Sequence, residues 1–163
     1  MTLRLQSIGW ILAVCVIAFA SQAISAEYSP QVWINPGLYS YHFDRDKNFR
    51  DNNIGVGAEL LITKDHGVMA GTFINSDRAR SNYVAYQWRP LHWQPFESLN
   101  VSAGVIAGAF DGYPRMRNGG WFVAPLPLLA IEGRRVGVNF TIAPNYGNRL
   151  HGAVAIQLKL RVW

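Results

Sequence analysis

The chain has 163 residues, half of them hydrophobic, with 15 Lys and Arg against 10 Asp and Glu and a formal net charge of +5. That length supports one domain. No apolar run reaches about eighteen residues and no long segment has a 3.6-residue period, which excludes a transmembrane helix and a helical bundle. The single cysteine, Cys15, excludes a disulfide scaffold.

The chain opens with the pattern of a secretory signal. Arg4 supplies positive charge, residues 8–20 are apolar, and small residues follow at Ser21, Ala23, Ser25 and Ala26. Residues 1–26 are read as this signal, cleaved after Ala23 or Ala26, and residues 27–163 as the mature domain. Cys15 leaves with the signal, so the mature chain has no thiolate nucleophile. Export also argues against nucleic acid as the partner of a basic chain and favours an anionic membrane surface.

Eight strands follow, each marked by a period of two. The first covers 38–44, with Tyr39, Tyr41 and Phe43 on one face and Ser40, His42 and Asp44 on the other. The second covers 54–63, where Ile54, Val56, Ala58, Leu60 and Ile62 alternate with Gly55, Gly57, Glu59 and Leu61. Lys64 to Gly67 reads as a tight turn. The third and fourth strands cover 68–75 and 83–88. Residues 89–98 contain Pro90 and Pro95 and are expected to leave the ladder, because proline has no N–H to donate. The fifth covers 99–110, the sixth 121–131, the seventh 136–142 and the eighth 152–162. In the last, Val154, Ile156, Leu158, Leu160 and Val162 alternate with Gln157, Lys159 and Arg161.

An even set of two-faced strands behind an export signal predicts an all-β, eight-stranded antiparallel up-and-down transmembrane β-barrel in the bacterial outer membrane, acting as a monomer. Such a lumen is filled by side chains or holds one small ligand. The inward glycines, Gly55, Gly57, Gly104, Gly108 and Gly137, fit either tight curvature or a ligand slot. Glu59 needs an inward cation, with Lys159 and Arg161 as candidates, because an isolated carboxylate inside a barrel is costly. Trp33, Trp88, Trp93, Trp121 and Trp163 fall near strand ends, as interfacial girdles do. With both termini in the periplasm, the outward loops carry a run of arginines. Arg78, Arg80, Arg115 and Arg117 are expected to contact lipid A phosphates, since guanidinium matches phosphate bidentately. The competing soluble reading, a secreted lipocalin-like barrel, would turn the aliphatic faces inward.

Little in the chain has the spacing of a reactive site. His42, His66, His92 and His151 lie apart, and no metal is expected. There is no phosphate-cradling glycine loop and no nucleophile elbow. One pairing has chemical sense: His42 ends the first strand on its polar face, and Asn75-Ser76-Asp77 ends the third at the same end of the barrel. An imidazole near a hydroxyl, steadied by a carboxylate or amide, is what acyl transfer uses.

Several segments in order resemble the outer-membrane lipid A palmitoyltransferase family. They are Phe73-Ile74-Asn75-Ser76, where that family has Phe-x-Asp-Ser; Tyr86-Gln87-Trp88-Arg89-Pro90-Leu91; Trp121-Phe122-Val123-Ala124-Pro125-Leu126-Pro127-Leu128-Leu129; and Ile142-Ala143-Pro144-Asn145-Tyr146-Gly147-Asn148. The resemblance implies an eight-stranded barrel that moves an acyl chain from a phospholipid to lipid A, needing no cofactor. It implies catalytic roles for His42 and Ser76, with Asn75 in the place of the family's Asp and Asp77 as a nearby carboxylate. It also implies that Pro125, Pro127 and Pro144 open a lateral lipid gateway between strands six and seven. The family's helix before the first strand has no counterpart here. The alternative kept open is a non-catalytic barrel with a structural or lipid-binding role.

Overall fold

A computed structural model describes residues 28–147 and 149–163; the expected signal over 1–26 lies outside them. Eight strands form one closed barrel in chain order: β1 (Gln31–His42), β2 (Asn52–Leu61), β3 (His66–Ile74), β4 (Arg80–Phe96), β5 (Leu99–Phe110), β6 (Phe122–Glu132), β7 (Val136–Ala143) and β8 (Ala153–Arg161). Every neighbouring pair is antiparallel, and β8 returns to β1. Closure gives every strand a partner on both sides over part of its length. This is the expected all-β architecture.

The faces follow the predicted alternation. Ile54, Val56 and Leu60 of β2 are exposed outward, while Gly57, Glu59 and Leu61 are buried inside. On β8, Leu158 and Leu160 face out and Gln157 and Lys159 face in. The soluble alternative, with aliphatics inside, is therefore not the arrangement adopted. Trp88, Trp93, Trp121 and Trp163 are about half-exposed or more, but Trp33 is fully buried. Trp33 is thus not part of a girdle; it lies within the barrel.

The strand limits depart from expectation where prolines occur. β1 begins at Gln31, well before the predicted Leu38, and runs through Pro36. Its register against β2 shifts between Asn35 and Gly37, and against β8 between Ile34 and Tyr39. Gly37 has φ of +107°, and a Cβ there would collide with the Asn53 carbonyl, so the bulge needs glycine. β4 continues to Phe96 through Pro90 and Pro95. β3 reaches only to His66 opposite Trp88, so beyond that point β4 pairs on one side alone, with β5. A missing N–H costs little on a free edge. The tight turn also comes slightly early. Thr63 Oγ1 accepts from the Asp65 and His66 N–H groups (3.2 and 3.0 Å), and His66 already belongs to β3.

The barrel has two unlike ends. Short turns, the start of β1 and the end of β8 share one, here the turn end; the other, the loop end, carries the longer connections after β1, β3, β5 and β7. Inside the turn end, Lys159 Nζ lies 2.6 Å from Glu59 Oε1 and 2.6 Å from Glu132 Oε1. Arg89 Nη1 lies 2.8 Å from the same Glu132 oxygen. Asn139 Nδ2 donates to Glu59 Oε2 at 2.8 Å, and the Trp33 ring lies 4.9 Å from Lys159 Nζ. Glu59 therefore does pair with an inward cation, Lys159. Arg161 is not its partner and instead donates to the Trp163 carbonyl. Two cations and two anions balance one another, as burial of charge requires.

That balance can be tested. Lys159→Met leaves the Glu59 carboxylate buried without a cation and should destabilise the barrel by roughly 3 kcal/mol. Adding Glu59→Gln removes the orphaned charge and should recover part of the loss, while the Arg89–Glu132 pair stays balanced. Urea unfolding in detergent micelles measures both steps.

Candidate active site

Above the buried charges the lumen opens into a cavity with an open mouth. Its walls are apolar and include Leu38, Met69, Phe73, Ala85, Ile106 and Leu126. Inward aromatic rings stand in a connected series: Phe73 to Tyr83 (6.0 Å), Tyr83 to Phe110 (6.4 Å), Phe110 to Phe122 (5.9 Å) and Phe122 to Tyr113 (5.7 Å). Gly57 and Gly71 give the Tyr83 ring its place, since a Cβ on either would strike it. The inward glycines at this level therefore seat a side chain. Asn139 and Gln157 form a polar floor, continuous with the charges below.

The mouth is polar. His42, the last residue of β1, points inward and is buried, and its Nδ1 lies 3.1 Å from Asp51 Oδ1. A carboxylate only accepts, so Nδ1 carries the proton and Nε2 is left as the acceptor. Asp51 Oδ2 accepts from Arg45 Nη1 at 3.0 Å. Partial burial pushes the Asp51 carboxyl up, but the hydrogen bonds from His42 and Arg45 outweigh it and hold the group below the usual aspartate range. Phe49 packs on the His42 ring with centroids 4.8 Å apart. One pleat deeper, Ser40 Oγ is 3.4 Å from Ser76 Oγ and accepts from Asn53 Nδ2.

Asp51, Ser40 and Asn53 are not among the site residues expected from the sequence, yet their facing was readable. Extending the inward set of β2 backward from Gly55 gives Asn53 and then Asp51. The Ser40 N–H donates to the Asp51 carbonyl at 2.8 Å, so Asp51 sits across from Ser40 and diagonal to His42.

The predicted site residues divide. His42, Ser76 and Asp77 all line the cavity. Among the described residues the hydrogen-bond partner of Ser76 Oγ is Ser40, not His42. Asn75 is fully buried and turns away from the cavity. Its Nδ2 donates to Ser81 Oγ (2.9 Å) and the Gly112 carbonyl (2.8 Å), and its Oδ1 accepts from the Ala79 N–H (3.0 Å). It ties the β3–β4 loop to the β5–β6 loop. Of the four arginines, Arg115 touches a cavity residue, with Nη1 3.1 Å from His151 Nε2. Arg78 donates to the Asn48 carbonyl at 3.2 Å from a left-handed backbone, φ 63°. Arg80 opens β4, and Arg117 starts an exposed 3-10 turn with φ 50°.

The prolines coincide with a break in the wall. β6 pairs with β5 along its whole length but with β7 only from Leu128 to Glu132. Pro125 and Pro127 share one parity, so both missing donors face the same neighbour. Pro144 follows the last residue of β7. Leu126, Thr141 and Ala143, which flank this seam, also line the cavity.

No protein-family model matches the chain. The chain is similar to a lipid A acyltransferase. It is 28% identical over 137 residues to the lipid A acyltransferase PagP of Laribacter hongkongensis, a match covering 81% of this chain and 56% of the relative. The chain therefore spans little more than half the length of that relative.

The His42–Asp51–Arg45 contact predicts a titration. Because the folded carboxyl lies below its unfolded value, its stabilisation is fully present above the ordinary aspartate range and is lost as pH falls through the folded value. Carbon-detected NMR should place the Asp51 midpoint below that of free aspartate, and His42→Asn should move it upward.

Proposed function

We propose that this chain is an outer-membrane acyltransferase that moves an acyl chain from a phospholipid to lipid A in the outer leaflet. The outward aliphatics and half-exposed tryptophans support a lipid setting, and the distant likeness to a lipid A acyltransferase supports the reaction. One observation carries the reading. A His–Asp pair stands at the mouth of an apolar cavity whose wall is unlaced at the β6–β7 seam. The acyl chain lies in the cavity and enters through the seam at Pro125, Pro127 and Pro144. His42 Nε2 takes the proton of a lipid A hydroxyl as its oxygen attacks the ester carbonyl, and a new ester C–O bond forms. The old C–O bond breaks, and the departing lysophospholipid oxygen takes the proton back from His42. Asp51 fixes the ring and stabilises the imidazolium, while Ser76 and Ser40 donate to the carbonyl oxygen as it gains charge. Asn75 acts on the rim through the loops it ties.

A second reading, a barrel that binds lipid without transfer, has an observation in its favour: Ser76 bonds Ser40, so base and hydroxyl are not directly coupled. Mass spectrometry of lipid A from cells with and without the chain separates the two. Transfer predicts an added acyl chain. His42→Ala should lower it by roughly 10²- to 10⁴-fold and Ser76→Ala by about 10²-fold, with the barrel still folded. The double change should cost little more than His42→Ala alone. Unaltered lipid A with wild-type chain in the outer membrane would leave the binding reading.

A further inference from the structure

We propose that the loop-end rim holds a phosphate-monoester site built by Arg115, His151 and Lys47, with Arg149 at its edge. This deepens the reading above and rests on it for the choice of a glycolipid as the source of the phosphate.

The geometry begins with Arg115 Nη1, 3.1 Å from His151 Nε2. Guanidinium has donors only, so Nε2 is an acceptor and the imidazole is neutral. A cation held against a neutral ring is an unusual resting arrangement. Among the described residues no carboxylate lies within ion-pair distance of Arg115 or Arg149, so the rim carries unmatched positive charge. Four loops converge here. Asp44 and Lys47 come from the first, Asp77 from the second, Arg115 from the third and Arg149 and His151 from the fourth. Asp44 is already engaged by Lys47 at 3.7 Å. Burial, then the Lys47 and Arg115 charges, push His151 below the usual histidine value, and Asp44 and Asp77 only partly offset them.

A phosphate monoester resolves each of these features. It offers two oxygens to one guanidinium and close to two charges to the cluster. Seated between Arg115 and His151, it replaces the acceptor that Arg115 now finds on the ring. It also favours a proton on Nε2, turning His151 from acceptor to donor. Binding and proton uptake are therefore linked. A phosphodiester has one charge and one fewer free oxygen, and matches the cluster less well. The site also adjoins the reacting centre: the Phe49 ring lies 4.8 Å from the His151 ring and 4.8 Å from the His42 ring. A glycolipid held by its phosphate at Arg115 presents its sugar face across Phe49 towards His42.

The test reads histidine ring resonances of the full chain in zwitterionic detergent, with inorganic phosphate, lipid A or phosphatidylglycerol added. Inorganic phosphate should shift the His151 signals saturably and raise the His151 titration midpoint. Arg115→Gln should weaken this response by roughly tenfold or more. Lipid A should saturate the response at lower concentration than inorganic phosphate, and phosphatidylglycerol should not. Equal potency of lipid A and inorganic phosphate would keep the site and assign it to free phosphate. No His151 response, an undiminished response in Arg115→Gln, or an equal response to the diester would overturn the proposal. Acyl transfer is not read, so a chain that binds phosphate but leaves lipid A unaltered would remove the transfer reading and leave this one.

Discussion

The buried ammonium of Lys159 sets the terms for the rest of the interior. A charge with no exposed surface must be matched, and Glu59 and Glu132 match it, with Arg89 restoring neutrality. These side chains pack inside the turn end of a barrel whose lumen is only just wide enough to be filled. The open volume is thereby confined to the other half. The cavity opens at the loop end and has a polar floor where Asn139 reaches down to Glu59. A lumen of this form is a socket and not a channel.

The chemistry gathers at that mouth because strand pairing brings it there. His42 ends β1, Asp51 precedes β2, and their hairpin register makes them diagonal neighbours on the inner face. Ser76 follows the end of β3 and meets Ser40. Among the described residues, the four non-glycine residues with positive φ all lie at this end of the barrel: Asn48, Arg78, Arg117 and Asn118. Such backbone persists where loops are held by their contacts, and Asn75 supplies several of these. Across the Phe49 ring, Arg115 and His151 face the His42–Asp51 pair, so the mouth has a basic, proton-accepting side and a cationic side.

Much of the fold was readable because a period of two runs unbroken through most of each strand, and it fails where a bulge shifts the register. Glu59 with Lys159 followed from parity and the cost of a lone charge. The strand limits were less readable, since the proline rule says that a donor is missing but not whether a neighbour needs it. Pro90 and Pro95 sit on a stretch of β4 paired only with β5, and Pro36 sits in a bulge, so neither ended its strand. The bulge also lies between Trp33 and the alternating residues of β1, and Trp33 faces inward where a girdle position was expected. Asp51 was missed because it precedes the clear alternation of β2, although the same parity reaches it. Asn75 reaches Gly112 and His151 meets Arg115 on other loops, whose conformations leave no periodic trace in the sequence.

On the proposed reading, the carboxylate steadying His42 is Asp51, ahead of β2, and not a group at the end of β3. Lipid A mass spectrometry with Asp51→Asn, alone and combined with Asn75→Asp, tests it most directly. Asp51→Asn should lower transfer, and Asn75→Asp should not restore it, because position 75 faces Ser81 and the Gly112 carbonyl and lies off the cavity. Full transfer by Asp51→Asn, or its rescue by Asn75→Asp, would mean that Asp51 does not steady His42.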